Sequence, residues 1–374
     1  MTGRAARLAD PSGPAGQLPA VLAIDGGNSK TDIALVAADG TVLARVRGPG
    51  SNFGRDGAEP TMRVLGDLVR ELAAAAGPPP GLVAAHTSAC LANADLPEDE
   101  ERLAGVLAAQ GWSRSTTLVN DTFAVLRSGL RGTESWGVAV TCGAGINCVG
   151  VAPDGQVTRF LALGHLTGDR GGGGELATMS LWSAMRAEDG RGPQTMLRTA
   201  VAGHFGVPLV RDAAIGLYTG TISMDLLFSL VPVLLRTARD GDEVARALVR
   251  EQADEITTMA LTAMRRLDLT SAAVPVVLGG GVLTARDPLL TELIVTGVTA
   301  GAARADIRIA DVPPIAGAAL LGLDHLDATV PAKSRLLSAY QPTPPPPPPP
   351  PAPPPPAPAP PPPAPAPPSF LDHG

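Results

Sequence analysis

Ile24-Asp25-Gly26-Gly27-Asn28-Ser29-Lys30-Thr31 is the stretch of sequence that decides the fold. Three short apolar segments surround it, at 21–24, 32–37 and 41–46, and their residue types are typical of strands. The last two are joined by Ala38-Asp39-Gly40, and a short Asp-Gly turn between apolar runs is a hairpin signal. The stretch therefore predicts a tight glycine turn between the first two strands of an antiparallel sheet.

The composition of this turn is suited to binding phosphate. Glycine has no Cβ, so the backbone N–H groups of Gly26 and Gly27 can approach phosphate oxygens closely. Asp25, at the carboxyl end of the first strand, offers an oxygen ligand of the kind that Mg²⁺ prefers. The turn adds two hydroxyls and a cation, from Ser29, Thr31 and Lys30. An ordinary hairpin turn explains the stretch equally well when it is considered alone.

The same arrangement occurs a second time in the chain. Residues 136–141 form a predicted strand that ends at Cys142-Gly143-Ala144-Gly145, and two further strands, 146–151 and 157–160, follow it. Two glycine turns that face each other across a cleft could grip the phosphates of one nucleotide from both sides. The repetition predicts an α/β protein with two related domains, and it favours such a phosphate clamp over two unrelated hairpins.

Helices and further strands fill the remainder of each half. Apolar residues at helical spacing predict helices, and short apolar runs predict strands. The predicted helices lie at 59–76, 98–110, from 121 onwards, within 174–265 (the longest at about 243–267) and at 314–327, and the predicted strands at 82–88, 117–119 and 275–278.

Three further segments combine polar residues with helix starts or glycine turns. Asn120-Asp121-Thr122 lies at a strand end before a helix, where Asp121 is either a general base or one of three candidate N-caps. In the loop 168–174, Asp169 is a candidate ligand of sugar hydroxyls. The alternative is that this loop has no binding role and that its glycines only permit a tight approach to the following helix. Gly280-Gly281 follows a strand and suits contact with a nucleotide base or ribose, although a left-handed turn needs the same glycines.

The composition of the 374-residue chain excludes several function classes. Its formal net charge is −7 at pH 7 without a run of basic residues, so neither a nucleic acid nor an anionic membrane is an expected partner. No run of about 18 apolar residues is present, so no membrane span is expected. The three cysteines, Cys90, Cys142 and Cys148, lack metal-ligand spacing, which favours the reducing cytoplasm over a disulfide framework.

The order of these motifs resembles that of the BadF/BadG/BcrA/BcrD ATPase family, in its N-acetylglucosamine kinase-like branch. The similarity extends over residues 20–328. Asp25–Thr31 and Gly143–Cys148 resemble the family's two phosphate motifs, Val277–Leu283 its adenosine motif, and Pro314–Ala319 its connecting helix. The resemblance implies an actin-like ATPase (ribonuclease H-like) fold, with two related domains on either side of a nucleotide cleft.

The resemblance also implies an activity and the residues that perform it. The expected reaction is ATP-dependent phosphorylation of an amino sugar, such as N-acetylglucosamine or glucosamine, at its 6-hydroxyl. Asp121 matches the catalytic Asp of these kinases, and ATP with Mg²⁺ is expected between the two glycine turns. Asn52, Asn147 and Asp169 match positions of sugar contacts. Relatives are often dimers, so a homodimer is expected.

Three departures from the family's pattern lie on the acceptor side. Ala144 and Ile146 stand where the second phosphate turn usually carries hydroxyls, so only its backbone donors remain. Arg170 stands where many relatives have an acidic residue, and Asn93 replaces a common glycine. The departures leave open a non-catalytic sugar or nucleotide sensor on the same fold. A second alternative is an ATP-driven activator of a 2-hydroxyacyl-CoA dehydratase, which would need cysteines for an iron–sulfur cluster.

The sequence divides into four regions. We predict a disordered tail at 1–19, a first actin-like domain at 20–130 with a closing helix at 314–328, a second domain at 131–313, and a disordered proline-rich tail at 336–374. The composition of the second tail favours an extended polyproline II spacer, with docking to an unknown partner as the alternative.

Overall fold

The computed structural model describes residues 3–7, 18–77 and 82–341, which form two β-sheets with helices packed around them. Most of the predicted N-terminal tail, and residues 342–374 of the proline-rich tail, lie outside the described residues. None of the helices within the described ranges combines the length and apolar character that a transmembrane span requires.

The first sheet contains six of the described strands. Their bounds are β1 Gly3–Arg7, β2 Val21–Gly26, β3 Lys30–Val36, β4 Val42–Pro49, β5 Ala84–Leu91 and β6 Ser113–Asn120. The strands lie in the order β1-β4-β3-β2-β5-β6, with β2, β3 and β4 antiparallel and β2, β5 and β6 parallel. All six residues of β2 are buried, which explains why this strand is a continuous apolar run ending at an acidic residue and a glycine.

The second sheet repeats this arrangement with five described strands. Their bounds are β7 Gly137–Cys142, β8 Ile146–Val151, β9 Val157–Arg159, β10 Pro275–Gly279 and β11 Asp306–Ile309. The order is β11-β10-β7-β8-β9, again with an antiparallel hairpin beside parallel strands. Written in reverse, this order is β9-β8-β7-β10-β11, and it matches β4-β3-β2-β5-β6 of the first sheet strand for strand when the edge strand β1 is set aside. The repetition predicted from the glycine turns is therefore confirmed.

The described helices cover the faces of both sheets. Their bounds are α1 Phe53–Asp56, α2 Ala58–Ala76, α3 Pro97–Ala108, α4 Asp121–Gly129, α5 Gly173–Glu188, α6 Leu197–Phe205, α7 Val210–Thr219, α8 Val231–Arg239, α9 Glu243–Arg266, α10 Gly281–Thr284, α11 Pro288–Gly301, α12 Pro314–His325 and α13 Val330–Ser338. Two 3₁₀ turns lie at Gly164–Leu166 and Met224–Leu230. The helices predicted at 59–76 and 243–267 are confirmed as α2 and α9.

Helices α4 and α12 lie in contact with each other, and together they connect the two sheets. Apolar residues of α4 pack against β7 and β10 of the second sheet, and α12 packs against β2 and β5 of the first. A Cβ added to Gly317 would lie 1.9 Å from the carbonyl oxygen of Ala124, so the close contact between the helices requires glycine there. This contact fixes α4, and with it Asp121 at its first position, relative to both sheets.

The structure differs from the predicted tails at two places. Residues 3–7, expected to be disordered, pair antiparallel with β4 at the edge of the first sheet. Backbone pairing at a sheet edge needs no apolar pattern, so composition gave no signal for it. At the other end, α13 continues to Ser338, beyond the predicted start of the tail at 336, because Ala332 and Leu336 form a buried stripe at helical spacing.

Candidate active site

The carboxyl ends of the parallel strands meet along one edge of each sheet. In the first sheet Gly26, Leu91 and Asn120 lie side by side at the ends of β2, β5 and β6. In the second sheet Thr141 lies beside Gly279, one residue from the end of β7. Ligands of open α/β sheets bind outside these carboxyl ends, and the sequence-predicted glycine turns begin there.

The first glycine turn is closed by a hydrogen bond from the Gly27 N–H to the carbonyl oxygen of Lys30, at 2.9 Å. A Cβ on Gly26 would lie 2.5 Å from Leu91 Cδ2 and 2.7 Å from Ser51 Oγ, so this position requires glycine. The hydroxyl of Thr31, predicted to bind ATP, is buried and donates to Ser51 Oγ at 3.0 Å. Lys30 is half-exposed and its Nζ lies 3.7 Å from Asp32 Oδ2.

The second glycine turn is fixed to the start of helix α5. The N–H groups of Gly173 and Gly174 donate to the carbonyl oxygens of Gly143 and Ala144, at 2.8 and 2.9 Å. Ile146 buries its side chain in the core, so a donor at that position would point away from the turn. The turn therefore offers a backbone held in place by α5, without the hydroxyls that its relatives usually carry.

Both turns line one cavity of about 1100 Å³. Residues of both turns line it, Asn28, Ser29, Gly143 and Ala144, together with Gly281. Helix α8 and the preceding 3₁₀ turn add the apolar side chains of Phe228, Val231 and Leu235, and the charged residues of the lining are Asp225, Arg239, Arg286 and Asp287. A cavity that combines the backbone of two glycine turns with apolar side chains is suited to a nucleotide, whose phosphates need polar donors and whose base packs on apolar surface.

Gly280 packs directly behind the second turn. Its φ is +84°, and a Cβ there would lie 2.4 Å from the Cys142 carbonyl oxygen and 2.8 Å from the Gly143 nitrogen. With ψ at 158° the residue is outside the left-handed helical region expected of a turn glycine, but the positive φ and the close approach both require glycine here. Gly281, by contrast, meets open space and begins α10 at the cavity wall.

Asp121 is the first residue of α4, and the helix cap is Asn120. The Asn120 side chain accepts from the Thr122 N–H at 3.0 Å, which settles the ambiguity among the three candidate caps. The Asp121 carboxylate is therefore not the cap of α4, and it accepts a long hydrogen bond from Thr122 Oγ1, at 3.5 Å. Burial raises its pKa to about 6, so the group is a base at neutral pH with a pKa closer to neutrality than that of an exposed Asp.

Asp25 lies in a second environment that disfavours negative charge. Burial, together with the nearby carboxylates of Asp121 and Asp32, raises its pKa to about 8. Asp32 itself is held by Arg47, whose Nε and Nη2 donate to its two oxygens at 2.6 and 2.9 Å. Asp25 therefore lacks the compensation that Asp32 has, and a cation beside it would supply that compensation.

The residues present fit a Mg²⁺ ion that arrives with a nucleotide. Within the described residues, no group of three or more His, Cys, Asp and Glu is arranged to hold a metal without other ligands. Mg²⁺ commonly takes one or two carboxylates and completes its octahedral shell with water and phosphate oxygens. A buried carboxyl such as Asp25, at the edge of a phosphate turn, matches that incomplete set of ligands.

Two of the predicted sugar contacts, Asn52 and Asn147, belong to separate hydrogen-bonded groups of asparagines. In one group, Asn52 Nδ2 and Asn93 Nδ2 both donate to Asn28 Oδ1, at 2.7 and 2.8 Å. In the other, Asn147 Nδ2 lies 3.3 Å from Asn120 Oδ1. Asn52 thus joins the first glycine turn, and Asn147, on the second sheet, reaches the residue that precedes Asp121.

Asp169 and Arg170 are adjacent in sequence but face different surroundings. Asp169 is buried and accepts from Thr167 Oγ1 at 2.5 Å. Arg170 forms ion pairs with Glu251 at 2.7 Å and Glu175 at 3.2 Å, on helices α9 and α5. The basic residue that departs from the family pattern is therefore neutralised by these two helices.

Asp95 is a site residue that sequence reasoning missed. It accepts from Asn120 Nδ2 at 2.8 Å, and Asn147 Nδ2 lies 3.4 Å from the same oxygen. Burial and the charge of Asp121 raise its pKa to about 7. The sequence feature that could have identified Asp95 is its position four residues after the end of β5. The neighbouring strands β2 and β6 end at the predicted site, so residues that follow β5 lie near it as well.

The stability of the nucleotide-free protein is expected to fall as pH rises from about 4 to 8. Asp25, Asp95 and Asp121 have pKa values of about 8, 7 and 6 in the folded protein, against the ordinary value of 3.8 for an Asp side chain. Over this range the folded state binds more protons than the unfolded state, so the slope of the unfolding free energy against pH is negative. Each pKa unit corresponds to about 1.4 kcal/mol. Urea unfolding between pH 4 and 8 measures the slope.

Asp25→Asn should flatten this slope, because it removes the carboxyl with the largest shift. Asp154→Asn, in the exposed turn between β8 and β9, is the matched control and should leave the slope as in the wild type. An Asp25→Asn protein with the wild-type slope would contradict the assignment of the pH dependence to this cluster.

The three cysteines lie in the interior. Cys90, Cys142 and Cys148 are buried and unbridged, and burial raises the pKa of each thiol, that of Cys142 to about 12. Thiolates are the ligands of iron–sulfur clusters. Burial of all three thiols therefore disfavours the dehydratase-activator alternative.

Comparisons with known proteins agree with this geometry. Residues 22–322 match the model of the BadF/BadG/BcrA/BcrD ATPase family. The chain is 27% identical over 266 residues to an N-acetylmuramic acid/N-acetylglucosamine kinase of Clostridium acetobutylicum, covering 70% of this chain and 85% of that protein. It is 25% identical over 312 residues to the N-acetyl-D-glucosamine kinase of Dictyostelium discoideum, covering 81% and 97%. A solved structure from Chromobacterium violaceum, provisionally named an N-acetylglucosamine kinase, gives a TM-score of 0.63 at 23% identity over 82% of this chain and 99% of that one.

Proposed function

The chain belongs to the BadF/BadG/BcrA/BcrD ATPase family, and on this basis we propose that it is a sugar kinase that uses ATP to phosphorylate an amino sugar, such as N-acetylglucosamine or glucosamine, at the 6-hydroxyl. Its curated relatives are kinases of N-acetylated amino sugars. The observation that carries the proposal is the carboxylate of Asp121 at the first position of α4, directly after Asn120, whose side chain contacts Asn147 of the second sheet. Transfer to a hydroxyl requires such a base within reach of the acceptor.

In the proposed reaction Asp121 accepts the proton of the acceptor hydroxyl. The acceptor oxygen forms a bond to the γ-phosphorus, the bond from that phosphorus to the β–γ bridging oxygen breaks, and ADP leaves with the electron pair. Gly26, Gly27 and the Gly143–Gly145 turn hold the phosphates in line, because phosphoryl transfer depends mainly on positioning and charge stabilisation. Asp25 would hold Mg²⁺ through water, and the ion would neutralise charge on the phosphate oxygens.

Asn52, Asn147 and Asp169 bind the sugar in this proposal. Asn52 follows β4 of the first sheet and Asn147 lies on β8 of the second, and they contact Asn28 and Asn120 respectively, so a sugar between Asn52 and Asn147 would contact both sheets at once. Closure of the sheets around it would exclude water, which otherwise competes as phosphoryl acceptor. We further propose that the enzyme acts as a cytoplasmic homodimer, and that its domains divide at the boundaries predicted from the sequence.

Sugar-dependent ADP release is the test of this function. With Mg²⁺ and ATP, N-acetylglucosamine, glucosamine and N-acetylmuramic acid are supplied separately, and at least one amino sugar should release ADP well above the sugar-free rate. The matched control is the 6-deoxy form of the active sugar, which should bind without turnover because the acceptor oxygen is missing. ATP binding without ADP release for any sugar would instead support the sensor alternative. ADP release with the 6-deoxy sugar would contradict the 6-hydroxyl as acceptor.

A further inference from the structure

The hydroxyl of Thr141 is buried without a hydrogen-bond partner in the described part of the chain. Buried polar atoms in folded proteins nearly always have a partner, and a hydroxyl that lacks one destabilises the fold. Thr141 is the next-to-last residue of β7, two positions before the glycine of the second phosphate turn. Its position in the fold therefore indicates which ligand could supply the missing hydrogen-bond partner.

Strand pairing places Thr141 between the second phosphate turn and Asp121. Thr141 lies directly opposite Asn147 in the β7–β8 pair, and opposite residues of an antiparallel pair share one face of the sheet. On that face, Asn147 Nδ2 lies 3.3 Å from Asn120 Oδ1, the residue before Asp121.

The other neighbour of β7 gives the same placement. In the parallel pair with β10, Thr141 lies beside Gly279, and a Cβ on Gly279 would lie 2.3 Å from Val125 Cγ1. Val125 is one helical turn after Asp121 on α4. The face that carries the Thr141 side chain is therefore covered by α4, whose first residue is the proposed base.

We propose that Thr141 Oγ1 donates a hydrogen bond to an oxygen of the γ-phosphoryl group that is transferred. The inference rests on the proposed kinase function. A group that lies both next to the turn that holds the polyphosphate and next to the base that activates the acceptor is the transferred phosphoryl. The same turn lacks side-chain hydroxyls at Ala144 and Ile146, and Thr141 supplies one from the preceding strand.

Thr141→Val tests the proposal because it removes the hydroxyl and keeps the shape. Without nucleotide, the variant should melt at a higher temperature than the wild type, since a buried hydroxyl without a partner is replaced by a methyl group. Its affinity for AMPPNP, measured by calorimetry with Mg²⁺, should fall about 10–100-fold, the range for one hydrogen bond to a charged group. Its affinity for ADP should stay within about two-fold. Thr141→Ser, which restores the hydroxyl, should recover AMPPNP binding.

Thr61→Val is the matched control, because Thr61 Oγ1 is also buried without a partner among the described residues, on α2 outside the cavity. It should raise the melting temperature and leave both nucleotide affinities unchanged. An unchanged AMPPNP affinity in Thr141→Val, or equal losses for AMPPNP and ADP, would overturn the γ-phosphoryl contact. Failure of the wild type to bind AMPPNP would reject the kinase function itself, so the two failures are distinguishable. Should Thr141→Val not fold, the same comparison is made with Thr141→Ala.

Discussion

Asp121→Asn is expected to lower kcat by about 10²–10⁴-fold, the contribution of a general base, while ATP still binds. Asparagine keeps the size of the side chain but cannot accept the proton of the acceptor hydroxyl. The helix should remain intact, because Asn120 caps α4 through the Thr122 N–H. Turnover is measured by ADP release with the active sugar, and ATP affinity by calorimetry.

The pH dependence separates a base from a merely structural carboxylate. Burial raises the pKa of Asp121 to about 6, so kcat/KM of the wild type should fall as pH decreases through this value, where the base becomes protonated. The residual activity of Asp121→Asn should lack this acid limb. Asp154→Asn, in the exposed β8–β9 turn, is the control for the effect of an Asp→Asn change on preparation and folding. It should keep the kcat and the pH profile of the wild type. Wild-type turnover in Asp121→Asn would remove this residue as the base.

The placement of the two glycine turns could be predicted from the sequence because its signals are local. Each glycine turn directly follows an apolar strand, and the repetition of that pattern gave the duplicated sheets. Asp25 was likewise predictable, as an acidic residue at the end of a continuous buried run. What these features share is that a few consecutive residues define them.

The remaining site residues depend on strand register, which the sequence does not show. Asp95 joins Asn120 and Asn147 only because β5 and β6 end where β8 begins. The buried hydroxyl of Thr141 likewise depends on its pairing with Asn147 and Gly279. Contacts of this kind bring together residues tens of positions apart, so no spacing rule could have found them.

Asn93 shows how a departure from the family pattern is explained only in the structure. Its φ is +65°, in the left-handed region where glycine is common and where asparagine is among the better tolerated alternatives. Its side chain donates to Asn28 Oδ1, the atom that also accepts from Asn52. The substitution for glycine therefore keeps the backbone conformation and adds a contact to the first phosphate turn.

Gly280→Ala is expected to weaken ATP binding by at least about ten-fold, since it displaces the second phosphate turn. The new Cβ would lie 2.4 Å from the Cys142 carbonyl oxygen and 2.8 Å from the Gly143 nitrogen, so backbone has to move. Gly143 borders the cavity, and its N–H is bonded to the Gly145 carbonyl oxygen at 2.9 Å, so the movement changes the shape of the turn. A shift of about 1 Å in a site that acts by positioning can cost about 10²-fold in rate. ATP affinity is measured by calorimetry and kcat by ADP release.

Gly57→Ala separates this collision from backbone strain. Gly57 has φ +82° and ψ 172°, close to the +84° and 158° of Gly280, but a Cβ there meets nothing within 4 Å. Both variants should lose about 1–3 kcal/mol of stability from an alanine held in a backbone region that is populated almost only by glycine. Only Gly280→Ala should also lose ATP affinity, because only there does the methyl group reach the phosphate turn. Equal ATP affinities in the two variants would show that the second turn tolerates the displacement, and that it does not hold the nucleotide as proposed.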